Sequence, residues 1–103
     1  MILVVDAGNT NITLGVFEGK KLRGTYRMTT KVSRTSDEYG IFITELLEKN
    51  GLEPRQIEDV IISSVVPNIM HSFTSGIKKY FHVQPIIVGA GIKTGINLSL
   101  IHI

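Results

Sequence analysis

A chain of 103 residues, 43% hydrophobic and 19% charged, has room for one small domain with a real core, or for part of a larger one. Its 11 basic and 9 acidic residues are spread along the sequence without a basic run, and a formal net charge of +2 is too weak to argue for a nucleic-acid interface. The absence of cysteine excludes a disulfide framework, a thiolate nucleophile and a zinc cluster, so any catalysis must use oxygen chemistry.

Met1 leads directly into strand residues, which predicts no signal peptide, and no apolar stretch is long enough to span a bilayer. The expectation is a cytoplasmic protein. Ile2 to Val5 is a continuous apolar run, as in a strand covered on both faces, and Ile12 to Phe17 reads as its hairpin partner. Glu18 to Lys21 is the next turn. Leu22, Gly24, Tyr26 and Met28 then share one parity and Arg23, Thr25 and Arg27 the other, completing a three-stranded meander whose second face is polar.

Thr35 and Glu38 have capping-box spacing, with acids in the first turn, and predict a helix start. Tyr39, Phe42, Ile43, Leu46 and Leu47 recur at helical spacing up to the stop at Asn50-Gly51. Leu52 to Asp59 contains Pro54 and one short turn. Val60 to Val66 is β-branched enough for a central strand, ended by Pro67, which also suits the first turn of a helix. In that helix Ile69, Met70, Phe73, Ile77, Tyr80 and Phe81 form the apolar stripe, with Gly76 a weak point; Pro85 to Val88 is a last short strand before the glycine-rich Gly89 to Gly95. The order β-β-β-α-β-α-β predicts an α/β fold, a mixed sheet of about five strands with right-handed helical crossovers.

The sharpest chemical candidate is Asp6. A carboxylate that ends a buried strand is costly unless something positive or hydrogen-bonding meets it, and magnesium would do so. Gly8 lets backbone approach phosphate oxygens, while Asn9, Thr10, Asn11 and Thr13 add amides and hydroxyls at the same turn. The same residues also make an ordinary hairpin turn. Ser63 and Ser64 lie near the carboxyl end of a central strand, where open α/β sheets bind ligands, although paired serines also cap strand ends. Lys93, Thr94 and Gly95 could form a second close-approach loop or a plain connector. His71, His82 and His102 lack mutual metal-ligand spacing and read as structural or solvent-facing.

Asp6-Ala7-Gly8-Asn9-Thr10-Asn11, Ser63-Ser64-Val65-Val66-Pro67 and Gly91-Ile92-Lys93-Thr94-Gly95-Ile96-Asn97, in this order and spacing, resemble the bacterial type III pantothenate kinases. The first motif alone would indicate only the acetate and sugar kinase, Hsp70 and actin superfamily. The resemblance runs from Met1 to about Asn97. It implies a ribonuclease H-like (actin-like ATPase) subdomain over residues 1–97, half of a kinase that transfers the γ-phosphoryl group of ATP to the hydroxyl of pantothenate. It implies that Asp6 organises Mg2+ and that Ala7, Gly8, Asn9, Thr10, Asn11 and Thr13 belong with it to the ATP phosphate loop, with Ser63, Ser64, Lys93, Thr94 and Gly95 as possible active-site lining. A monovalent cation (K+ or NH4+) and a homodimer are implied for the full-length form, with no nucleic-acid or membrane partner.

In the family, Thr-Gly-Ile-Asn continues into a Tyr-Asp-Asn-Pro element and then a Gly-Ala-Asp-Arg element, whose aspartate is the catalytic base. Here the sequence reads Leu98-Ser99-Leu100-Ile101-His102-Ile103, with Leu100 where the tyrosine should be. The expectation is a truncated reading frame with a divergent tail over 98–103, inactive by itself. Two other classes fit parts of the pattern: a non-catalytic regulatory or binding member of the family, and a ribonuclease H-like nuclease. The nuclease needs a second carboxylate near the end of the fourth strand, where this chain has Ser63 and Ser64.

Overall fold

Alternation along the first strand sorts the molecule into layers. The computed structural model describes residues 1–31, 33–64 and 66–88, and of Ser64 only the backbone. In β1 (Ile2–Ala7), Leu3, Val5 and Ala7 enter the main core while Ile2 and Val4 belong to a separate cluster on the opposite face. β2 (Asn11–Glu18) pairs antiparallel with β1 and sends Ile12, Leu14 and Val16 to the main core. β3 (Lys21–Thr29) pairs antiparallel with β2, and β4 (Asp59–Ser64) pairs parallel with β1 on its other side. β5 (Ile86–Val88) adds parallel to β4, giving the order β3-β2-β1-β4-β5. This is the mixed five-stranded α/β sheet that the sequence predicts.

The strict alternation expected for β3 breaks at one point. The register with β2 shifts between Val16 and Phe17, so that Val16 faces Gly24 but Phe17 faces Leu22. Arg23 is the extra residue of a bulge, and a single inserted residue turns what precedes it to the other face. Tyr26 and Met28 therefore pack on the main core, whereas Leu22 joins Ile2, Val4 and Phe17 on the opposite face.

Two helices cover the main-core face. α1 (Ser36–Lys49) begins at Thr35, whose hydroxyl accepts from the Glu38 N–H at 3.2 Å while the Glu38 carboxylate accepts from the Thr35 N–H at 3.1 Å. Such a cap contributes about 1 kcal/mol. The helix ends as Gly51 takes φ +77° and the Leu52 N–H donates back to the Leu47 carbonyl, a turn that favours glycine. The short turn after it is a 3-10 segment at Pro54–Gln56. α2 (Pro67–Phe81) starts at the proline as predicted and stops at His82, which adopts φ 57°.

The buried stripe of α1 is narrower than its apolar periodicity suggests. Tyr39, Gly40, Ile43 and Leu47 are buried, while Ile41 is 47% and Phe42 36% exposed. α2 crosses α1 closely on the buried side. At the crossing, a Cβ on Gly76 would stand 2.5 Å from the Ser36 carbonyl oxygen, and a Cβ on Gly40 would meet the Tyr80 ring. The glycine that weakens α2 in isolation is what lets the backbones meet. Below the crossing, Tyr39 and Phe73 pack edge to face at 5.1 Å between ring centroids, a geometry that adds about 1 kcal/mol to their burial.

Asp37 at the start of α1 accepts from Lys79 Nζ at 2.8 Å and from the Tyr80 hydroxyl at 3.0 Å, tying it to the end of α2. These hydrogen bonds, and the ammonium charge, hold its carboxyl below the usual carboxylate range. A lowered folded-state value contributes stability that is present above the unfolded value and lost as pH falls through the folded one. We therefore expect the melting temperature to fall more steeply below about pH 4 in the wild type than in Asp37→Asn. Parallel acid limbs in thermal unfolding curves would show that the tie contributes nothing.

No helix among the described residues is long and apolar enough to cross a membrane. The predicted loop over 89–95, with Lys93, Thr94 and Gly95, and the divergent tail over 98–103 lie outside the described residues.

Candidate active site at the carboxyl ends of the parallel strands

Asp6 is the last residue of β1 on the face away from the helices, because Val5 and Ala7 on either side of it enter the main core. Register then selects its neighbours. Asp6 stands opposite Thr13 of β2 on one side and Ser63 of β4 on the other. Paired residues in adjacent strands point to the same face, so one carboxylate is flanked by two hydroxyl side chains in a row about 10 Å wide. β1 and β4 run parallel, which puts Asp6 and Ser63 together at the carboxyl end of both strands, the end where α/β sheets bind ligands. All three residues are half-buried, and Asp6 is engaged within the chain.

The turn that follows is tight and braced. The Gly8 N–H donates to the Asn11 carbonyl at 2.9 Å, and a Cβ on Gly8 would lie 3.2 Å from that same oxygen. Asn9, Thr10 and Asn11 are exposed at its tip. Thr30, just beyond β3, clamps the turn twice: its N–H donates to the Thr10 carbonyl at 2.9 Å and its hydroxyl donates to the Gly8 carbonyl at 2.8 Å. Ala7, by contrast, is 1% exposed and its side chain belongs to the core, so it borders the site through backbone alone. Ser64 pairs in register with Ala7.

Thr30 was not legible as a site residue, since a threonine in a polar connection carries no motif. The signal was the hairpin arithmetic: antiparallel pairing of Asn11 with Thr29 necessarily brings the next residue beside the turn. Thr30→Val removes one hydroxyl bond to a turn carbonyl. We expect a loss of about 1 kcal/mol and faster amide exchange through Gly8 to Asn11. Unchanged exchange in that segment would show that the second Thr30 bond suffices.

Among the described residues no three His, Asp or Glu side chains gather as a metal cluster. The row offers one carboxylate, which suits a divalent ion held by one protein acid together with phosphate oxygens and water, the usual manner of magnesium. It does not suit a two-metal centre that needs carboxylates from both strands, because Ser63 occupies the position beside Asp6. Two surface depressions lie elsewhere, on the helical layer: one of about 450 Å³ bordered by Glu48, Arg55, Tyr80 and His82, the other of about 250 Å³ bordered by Arg34, Ile41 and Phe42. Neither touches the Asp6 row. His71 and His82 are exposed, the solvent-facing of the two readings open from the sequence.

Similarity to solved structures supports the same fold. The chain superimposes on a putative N-acetylglucosamine kinase from Porphyromonas gingivalis with a TM-score of 0.61 at 19% identity, covering 86% of this chain and 34% of that one. It matches the RuvC structure from Thermus thermophilus at 0.53 and 16% identity, covering 85% of this chain and 63% of that one. The fold is thus the ribonuclease H-like, actin-like ATPase fold expected from the sequence. At the sequence level the chain is 55% identical over 100 residues to the type III pantothenate kinase of Bifidobacterium longum, covering 97% of this chain and 39% of that protein. It is 58% identical over 99 residues to that of Agathobacter rectalis, covering 96% of this chain and 38% of that protein. The chain therefore spans about two fifths of the length of these curated relatives. The family model for type III pantothenate kinase matches residues 2–102, and with that match and these identities the chain belongs to the type III pantothenate kinase family.

Proposed function

We propose that this chain forms the phosphate-holding half of an ATP-dependent pantothenate kinase, with residues 1–97 as its nucleotide-binding subdomain. The observation that carries the reading is the register row Thr13–Asp6–Ser63 beside a clamped, donor-rich turn, in a chain of this family. Asp6 would hold Mg2+, which when bound offsets charge on the phosphate oxygens. The exposed Asn9, Thr10 and Asn11 orient the nucleotide tail, and Thr13 and Ser63 border it. In the transfer, the bond from the γ-phosphorus to its bridging oxygen breaks and a bond to the pantothenate hydroxyl oxygen forms. The hydroxyl proton passes to the base of the Gly-Ala-Asp-Arg element, which belongs to the part of the relatives that this chain does not span.

The role of these residues is positioning and charge stabilisation, which is where most of the catalysis of phosphoryl transfer lies. K+ or NH4+ as a further cofactor, a homodimeric full-length form, a cytoplasmic location and the divergence of 98–103 are part of the same proposal. So is the inactivity of residues 1–103 alone, since the acceptor site and base come from elsewhere. The test is a chimera in which residues 1–97 replace the corresponding part of the Bifidobacterium longum relative. We expect ATP-dependent formation of 4′-phosphopantothenate by the chimera and none by residues 1–103. A folded chimera that binds ATP without transfer would favour a non-catalytic, regulatory reading.

A further inference from the structure

The row across the sheet does not end at Thr13. Thr13 stands opposite Arg27 of β3, so four adjacent strands present Arg27, Thr13, Asp6 and Ser63 side by side on the face away from the helices. The neighbours confirm the facing: Tyr26 and Met28, on either side of Arg27, pack on the main core, and Arg27 itself is exposed. The same strand carries Arg23, but that residue is the extra residue of the bulge, at the other end of the sheet.

We propose that Arg27 is a phosphate-binding residue of this site, holding the oxygens of the nucleotide tail from the β3 side; the inference rests on the nucleotide reading above. Charge balance is the reason. A triphosphate carries more negative charge than one divalent ion neutralises, and Asp6 adds another negative group to the row. A cation is needed at the same surface, and register supplies one two strands from Asp6, at a backbone separation of about 10 Å. That distance leaves a phosphate group room between the two side chains. A guanidinium also matches phosphate geometry through two parallel N–H donors, which an ammonium does not.

The experiment measures the affinity of residues 1–103 for MgATP, MgADP and AMP in the wild type, Arg27→Gln, Arg27→Lys and Arg23→Gln, with thermal unfolding as a check on folding. We expect Arg27→Gln to weaken MgATP about tenfold, consistent with a charge-assisted hydrogen bond, to weaken AMP less than about twofold, and to flatten the salt dependence of MgATP binding. Arg27→Lys should recover part of the loss, and Arg23→Gln should match the wild type. Equal MgATP affinity in Arg27→Gln, or an equal loss for MgATP and AMP, would overturn the role of Arg27 while leaving the nucleotide reading intact. If the wild type binds none of the three, the nucleotide reading fails and Arg27 with it. If Arg27→Gln does not fold, Arg27→Lys decides alone: unchanged MgATP affinity and salt dependence overturn the proposal.

Discussion

Asp6→Asn, in the chimera completed with the rest of a type III pantothenate kinase, should lower turnover on the order of a hundredfold, the scale of losing one charge-organising group at a transferring centre. The substitution keeps shape and removes charge. Asp6 lies at the strand end with Thr13 and Ser63 as its register neighbours and no buried apolar contact is lost, so thermal unfolding measured beside turnover separates the loss of its engagement within the chain from the loss of the metal role. Pantothenate affinity should hold, since the proposed acceptor site lies outside residues 1–97. Steady-state kinetics at saturating magnesium check it, and near-normal turnover would remove Asp6 from the metal role.

The second large effect concerns the scaffold that holds the sheet. Helix propensity alone predicts that Gly76→Ala stabilises α2 by roughly 1 kcal/mol. The structure predicts the opposite sign. The added Cβ would stand 2.5 Å from the Ser36 carbonyl oxygen and 3.3 Å from the Gly40 nitrogen, and backbone atoms of a capped helix start cannot yield as a side-chain tip can. Forcing the helices apart would open the contact that buries Tyr39, Phe73 and Ile77. An overpacked core costs about 1–3 kcal/mol, or a fall in melting temperature of roughly 5–15 °C for a domain of this size. Thermal unfolding reads the sign directly, and a variant more stable than the wild type would mean that the helices do not cross so closely.

The same two sites show what the sequence could reveal. Asp6 and the turn were legible because a strand-end acid and a Gly-Asn-Thr-Asn turn are local patterns, and the capping box at Thr35 and the proline start of α2 were local too. Gly76 reads as a weakness in the sequence because its partner, Ser36, is on another helix, and nothing local announces a backbone crossing. The exposure of Phe42 was hidden too: periodicity gives an apolar stripe, but not which part of it the rest of the fold covers. Arg27 and Thr30 were hidden by distance along the chain. Their places at the site follow from the register of β3 on β2, and the bulge at Arg23 determines which residues of β3 share the face of Asp6.

A titration of isotope-labelled residues 1–103 with MgATP, followed by amide chemical shifts, tests the central assignment most directly. If the carboxyl-end row and its turn hold the nucleotide phosphates, the largest perturbations fall on Asp6 and Gly8 to Thr13, with Arg27, Thr30 and Ser63 next, and AMP perturbs these amides less than ATP does. Perturbations centred instead on the helical depressions, around Arg34 and Phe42 or Tyr80 and His82, or no perturbation in the Gly8 to Asn11 turn at saturating MgATP, would contradict it.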